Sequence, residues 1–244
     1  MKLFYWNCRG FGNAPTQRVL FYYCQHFSPD YICLSEPMVL FSSIQQSYWD
    51  SLGFDLLATN LCPLPSLWVF GKRGAPSPTH VHLHDQHITL DVHFANVSQR
   101  VSFVYGSVWS NRRILLWSDL YNISLNFSSS WCVLGDFNAV LGAHEKLGRA
   151  PASTPCRNFC SFIDDCMLSH VSSRGSFYTW SNGRHGISRV ECRLDRVLGN
   201  ISFFNQWHEI SCSVLPRHNS DHSPLLLHCA FSDNIVSRFQ FFVM

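Results

Sequence analysis

Trp131-Cys-Val-Leu-Gly-Asp136-Phe-Asn138 sets an apolar run of strand type against a glycine, a carboxylate and an amide. Residues i and i+2 of a strand point the same way. Asp136 and Asn138 are therefore expected on one face, just past the end of a buried strand. A carboxylate there is costly unless it is paired, hydrogen-bonded or on a metal. Acid and amide at a strand end is one way to build a hydrolytic site.

Three other stretches repeat the design. Leu3-Phe-Tyr-Trp6 runs into Asn7-Cys8-Arg9-Gly10, and Tyr31-Ile-Cys-Leu34 runs into Ser35-Glu36-Pro37. Near the end, Asn219-Ser-Asp221-His222-Ser223-Pro224 precedes Leu225-Leu-Leu227. Each joins an apolar strand to a polar residue able to do chemistry. Asn, Glu, Asp/Asn and Asp/His delivered in this way point to a phosphoesterase-type site.

The 244 residues are enough for one α/β domain with a substantial core. At 46% hydrophobic and 15% aromatic residues, the composition excludes a disordered chain. The net charge of +2 does not by itself announce a nucleic-acid binder. Locally the balance differs, because Arg174, Arg184, Arg189, Arg193 and Arg196 face only Glu191 and Asp195 between Ser172 and Arg196. The 11 cysteines are scattered through apolar runs with no C-x-x-C pair, and read as buried thiols rather than disulfides or zinc ligands. Neither a signal peptide nor a membrane-span-length apolar run is visible, so an intracellular protein is expected.

Periodicity predicts strands over 3–6, 31–34, 67–70, 101–105, 131–134 and 225–231, with alternating antiparallel strands from Thr79 to Val92. Helices are expected over 15–27, 40–50, 112–127 and 156–168. Phe177–Trp180 and Arg193–Leu198 read as paired strands around the turn-rich Ser181–Gly186. No linker divides the chain, which gives one domain over 1–231 and a tail over 232–244.

Together these motifs resemble the exonuclease/endonuclease/phosphatase superfamily with its DNase-I-like fold. The subgroup they are most similar to is the endonuclease domain of plant LINE-type non-LTR retrotransposons. That rests on Trp6-Asn-Cys-Arg-Gly-Phe-Gly-Asn13, Gly135-Asp-Phe-Asn138 with Glu145-Lys-Leu-Gly148, and Tyr178-Thr-Trp-Ser-Asn-Gly183. Arg193-Leu-Asp-Arg196, Leu215-Pro-Arg217, the Asn219–Pro224 stretch and Arg238-Phe-Gln-Phe-Phe242 add to it. The resemblance implies a four-layer α/β sandwich, with two packed mixed sheets flanked by helices. It implies Mg²⁺-dependent nicking of DNA, with Mn²⁺ as the alternative ion, and a nuclear site of action. It further implies a following reverse transcriptase, absent from this chain, which then reads as a truncated copy. A phosphatase or RNA nuclease on the same fold, and a decayed DNA-binding remnant, are the rival readings.

By the same resemblance Glu36 is the principal metal ligand, assisted by Asn7 and Asp221. Asp136 orients or deprotonates the attacking water, and Asn138 holds Asp136 and the phosphate. His222 bonds the scissile phosphate or acts as a base, with Asp195 fixing its tautomer. For Asp195 the alternative is a salt bridge with Arg193 or Arg196. Tyr105 is either a phosphate contact or an ordinary core aromatic. Arg112, Tyr178, Trp180, Arg184 and Arg193 are the expected DNA contacts, by phosphate pairing and stacking. The row His80-x-His82-x-His84, with His87 and His93, offers a soft-metal chelate or an exposed polar edge. Alternation along one strand face favours the edge.

Overall fold

The computed structural model describes residues 1–94, 97–126 and 129–231. In chain order the first half comprises β1 (Lys2–Asn7), α1 (Ala14–Phe27), β2 (Tyr31–Ser35), α2 (Gln46–Leu52), β3 (Phe54–Thr59), β4 (Leu67–Lys72), β5 (His80–Leu83), β6 (His87–Phe94), β7 (Val97–Tyr105) and α3 (Ser110–Leu125). The second half comprises β8 (Trp131–Asp136), β9 (Lys146–Leu147), α4 (Ser153–Asp165), β10 (Ser169–His170), β11 (Ser173–Gly175), β12 (Trp180–Ser181), β13 (Glu191–Cys192), β14 (Asp195–Gly199), α5 (Ile201–Gln206), β15 (Glu209–Val214) and β16 (Leu225–Ala230). The segment 232–244, read above as a tail, lies outside the described residues.

Two mixed sheets face each other. One has seven strands in the order β11-β15-β16-β1-β2-β4-β3, and the other has six in the order β10-β14-β8-β7-β6-β5. Strand parity explains the layering. Leu3 and Tyr5 of β1 turn inward, against Ile88, Phe103, Cys132 and Leu134 of the second sheet. Phe4 and Trp6 turn outward, under Leu20 and Tyr23 of α1 and Trp49 of α2. Val133 and Leu198 of the second sheet likewise turn outward, onto Leu116 and Leu120 of α3 and Phe159 and Ile163 of α4. The result is the expected sandwich, helices outside and sheets inside. Strands such as β8, buried on both faces, read as continuous apolar runs for that reason.

Local signals set the helix ends. Asn13 caps α1 by accepting from the Thr16 amide at 2.9 Å, with Pro15 in the first turn. Gly53 closes α2 at φ 77°, a left-handed conformation that suits glycine. The single helix expected over 40–50 is instead a short turn at Phe41–Ser43 followed by α2. The expected pairing of 177–180 with 193–198 is corrected too. Trp180 and Ser181 pair with Cys192 and Glu191, whereas β14 pairs antiparallel with β8 inside the six-stranded sheet. Two residues, Arg193 and Leu194, carry the chain from the small sheet to the large one.

The cysteines are free and mostly buried, as expected. The histidine row is only in part an exposed edge. His80 and His93 are exposed, but His87 is fully buried under α3. Among the described residues no helix is long and apolar enough to cross a membrane.

Candidate active site

Strand register assembles the site. In β7 and β8 Tyr105 lies opposite Asp136, and in β8 and β14 Asp136 lies opposite Asp195. Three adjacent strands thus place a phenol and two carboxylates in one row at the sheet's rim. Gly135 allows this packing, since a Cβ there would meet the Val104 carbonyl oxygen at 2.1 Å. Asn138 reaches Asp136 by a turn, not by strand alternation. Its φ is 47°, its amide N–H donates to Asp136 Oδ1 at 2.8 Å, and its Nδ2 donates to the Gly106 carbonyl at 2.9 Å. The expectation of shared placement holds, but an Asx-type turn is its cause.

The facing sheet supplies Asn7 and Glu36 from the ends of β1 and β2. Asn7 Nδ2 donates to Glu36 Oε1 at 2.9 Å and to Asp136 Oδ2 at 3.0 Å, so one amide ties both sheets together. Glu36 has φ 49°, uncommon for a residue with a Cβ and held here by the Ser66 carbonyl bonded to its amide. His222 enters from the loop before β16. Its Nδ1 lies 2.9 Å from Asp195 Oδ2 and its Nε2 lies 3.6 Å from Asp136 Oδ2. Because Asp195 can only accept, Nδ1 carries the proton and Nε2 faces the reaction side. Ser220 shapes this loop, donating to the Asn7 carbonyl and accepting from the His222 amide.

Burial and charge set the proton affinities. Desolvation pushes Asp136 up to about 7, although His222 opposes it. Burial works against a charged His222, yet Asp195 and Asp136 outweigh it and raise the imidazole to about 9. The Tyr105 hydroxyl is pushed up by burial, then by Glu36 and Asp136. The Asp195 side chain bonds His222, and the rival pairing with Arg193 or Arg196 is absent among its contacts; Arg196 pairs with Glu145 instead.

Beside the row opens a recess of about 1070 Å³, lined by Arg9, Trp180, Arg184, Arg217, Asn219 and Asp221 among others. Asp221 is a hub there. It forms an ion pair with Arg9, accepts from Trp180 Nε1 at 2.9 Å, and its carbonyl accepts from Arg217 at 3.2 Å. Of the expected DNA contacts, Trp180 and Arg184 line the recess. Arg193 instead lies over the Phe177 ring at 5.2 Å, Arg112 pairs with Asp85 at 3.1 Å, and the Tyr178 side chain is outside the recess lining. Arg9, Arg217 and Asn219 were not singled out from sequence. Their signal was adjacency to Asn7-Cys8 and to Ser220-Asp221, which charge counting overlooked.

The site leaves oxygen donors free for a hard cation. Asn7 Oδ1 and Asp221 Oδ1 are buried without a hydrogen-bond partner, and Glu36 adds a carboxylate beside Asn7. Carboxylate and amide oxygens with no sulfur or imidazole nitrogen among them suit Mg²⁺. The donor atoms of Asp136, Asp195 and His222 also lie within 4.8 Å of one another. There Asp136 is already held by Asn7 and Asn138, and His222 by Asp195, which suits proton handling better than ligation.

An acid, amide and imidazole rim of this kind on a two-sheet sandwich fits one class, the hydrolases of phosphate esters, phosphodiesters among them. The chain belongs to the Endonuclease/Exonuclease/phosphatase family, whose model matches residues 4–222. The fold is shared with a 3′-5′ exonuclease from Neisseria meningitidis, at 16% identity and TM-score 0.73 over 95% of this chain and 100% of that one. It is shared with an AP endonuclease from Archaeoglobus fulgidus, at 14% identity and TM-score 0.71 over 94% and 99%. The endonuclease domain of TRAS1, a telomere-specific non-LTR retrotransposon, is similar at 10% identity and TM-score 0.71 over 95% and 99%. No curated protein sequence matches the chain.

Proposed function

We propose that the protein is a Mg²⁺-dependent endonuclease that nicks DNA, as the endonuclease domains of LINE-type retrotransposons do. The observation that carries this reading is the joined row Tyr105–Asp136–Asp195 with His222 and Asn7, set beside a recess lined by three arginines and a tryptophan. Glu36, Asn7 and Asp221 would hold the ion, which when bound polarises a phosphate oxygen and stabilises the leaving 3′-oxygen.

The chain's own groups handle the rest. Asp136, raised toward neutrality, suits a general base that takes the proton of the attacking water as the water oxygen bonds phosphorus and the P–O3′ bond opens. Asn138 and Asn7 fix the Asp136 carboxylate, so it need not reorganise during the step. His222 is protonated near neutral pH, which favours the donor role over the base role. It offers Nε2–H to the developing phosphate charge while Asp195 holds the ring. Tyr105 stands in the same row as a second donor.

Trp180 and Arg184 suit base stacking and phosphate contact along a strand, which favours nucleic acid over a small phosphoester. A chromosomal target would make the nucleus its site of action. With every expected position filled, and Asn7, Glu36, Asp136, Asn138, Asp195 and His222 linked by hydrogen bonds and ion pairs, a decayed remnant is the poorer reading. Supercoiled plasmid separates the alternatives. The purified chain should convert it to open circles in Mg²⁺, and EDTA should abolish the conversion. Unchanged nicking in EDTA would remove the metal from the account, and inert plasmid beside a cleaved RNA or phosphomonoester would move the substrate.

A further inference from the structure

A second cluster of titratable side chains lies between the β5–β6 hairpin and α3, and shares no residue with the candidate active site. His82 Nε2 and His87 Nε2 both meet Asp119 Oδ2, at 3.0 and 2.7 Å. The three donor atoms all lie within 4.8 Å of one another. The two imidazoles are nearly parallel, with centroids 5.5 Å apart and planes at 23°. His87 is fully buried, while His82 and Asp119 keep partial exposure. The cluster opens on a cavity of about 220 Å³, whose wall includes His80 and Asn122.

We propose that His82, His87 and Asp119 bind a divalent transition metal of the zinc class. This rests on the cluster's own geometry and not on the nuclease reading. Two imidazole nitrogens and one carboxylate oxygen form a borderline-soft donor set, wrong for Mg²⁺ and right for Zn²⁺ or Co²⁺. A tetrahedral ion about 2.0–2.1 Å from each donor separates donors by roughly 3.3 Å. The observed contacts are a few tenths of an ångström shorter, and the part-exposed His82 on its hairpin can open by that much. His80, two residues before His82 and on the same strand face, or a water can take the fourth position on the cavity side.

The surroundings supply the support that metal-bound histidine needs. His87 Nδ1 lies 3.1 Å from Thr89 Oγ1, which lies 2.7 Å from Ser102 Oγ, which accepts from Trp131 Nε1 at 2.9 Å. Hydroxyls both donate and accept. The chain can therefore receive a proton on Nδ1 as readily as give one to it. That allows His87 to move its proton from Nε2 to Nδ1 and present a free lone pair, with no net proton change at the ring. The bound ion would pin α3 to the β5–β6 hairpin at the sheet's edge.

The competing role is a plain hydrogen-bonded clamp, and His82→Gln separates the two, because a glutamine amide can still donate to Asp119 but replaces the imidazole ligand. The metal-stripped full chain is titrated with Zn²⁺ by calorimetry and with Co²⁺ by visible absorption. Expected are one Zn²⁺ equivalent, a tetrahedral Co²⁺ spectrum and a Zn²⁺-dependent rise in thermal midpoint. His82→Gln and Asp119→Asn should each weaken Zn²⁺ binding by roughly a hundredfold or more, and His222→Ala should leave it intact. No bound zinc at micromolar concentration, or binding unchanged in both cluster variants, would overturn the site. Loss of the equivalent in His222→Ala would assign the metal to the catalytic rim and overturn it equally.

Discussion

Two buried clusters of charge start from consecutive residues of β14, Asp195 and Arg196, and they are built on different plans. At Arg196 the charge is paired, with Nε alone of its nitrogens left without a hydrogen-bond partner. Its guanidinium forms two bonds with Glu145, at 2.9 and 2.8 Å, reaches the carbonyls of Ala139 and Arg193, and lies over the Phe159 ring. Burial opposes the Glu145 charge, but the Arg196 hydrogen bonds prevail and hold its carboxyl below the usual range. At Asp195 the charge is left open. Two carboxylates share one imidazole, and Asp195 Oδ1, Asn7 Oδ1 and Asp221 Oδ1 have no partner. The Arg196 charge is neutralised by a carboxylate within the protein, whereas the cluster at Asp195 keeps acceptor oxygens free for something to arrive.

This contrast breaks most readily at the Arg196–Glu145 pair. Glu145→Gln leaves Arg196 buried and uncompensated, and should lower stability by about 3–5 kcal/mol in urea unfolding. Replacing both residues with apolar ones of similar volume should recover much of that loss. If Glu145→Gln unfolds like the parent, the paired cluster is not structural and the contrast fails.

The open cluster should respond in rate instead. His222→Ala should slow single-turnover nicking by roughly 10²–10⁴-fold, and Asp195→Asn/His222→Ala should be little worse, because residues acting as a unit are not additive. Multiplying losses would show two separate roles. Activity should also follow a bell in pH, rising as Asp136 ionises near 7 and falling as His222 deprotonates near 9, both limbs belonging to the pair. The sign for stability is fixed by the same shift. With its pKa raised above 6.5, His222 contributes stability that is full below 6.5 and lost as pH rises through about 9. A His222→Ala thermal midpoint that still falls over that window as steeply as the parent's would contradict this.

The smallest expected effect sharpens the boundary of the open region. Arg184→Ala should reduce the salt dependence of DNA binding by about one unit in log–log slope, the loss of one phosphate contact. Arg112→Ala, whose side chain is paired with Asp85, should change that slope less. Equal slopes for Arg184→Ala and the parent would take the recess off the DNA path.

Much of this was legible in the chain, for identifiable reasons. Buried strands announce themselves as apolar runs, so β1, β2, β8 and β16 and the polar residues at their ends could be read directly. The contact between Asp195 and His222 followed from the motifs. The small sheet was misread because β12 and β13 contribute two residues each, too few to show a period. β3 and β15 were missed because half-buried faces give mixed patterns. Arg196 and Glu145 were not read as partners, since a pairing across 51 positions leaves no local mark. The burial of His87 depends on α3 crossing its strand, which alternation along that strand cannot reveal.

The central claim, that the open cluster is there for hydrolysis and not for stability, rests most directly on Asp136→Asn, measured for plasmid nicking and thermal midpoint in the same preparation. The account predicts a rate lower by roughly two orders of magnitude or more, with the midpoint equal to or above the parent's because a costly buried charge is gone. A variant that nicks at the parent's rate, or one that loses its fold along with its activity, would contradict it.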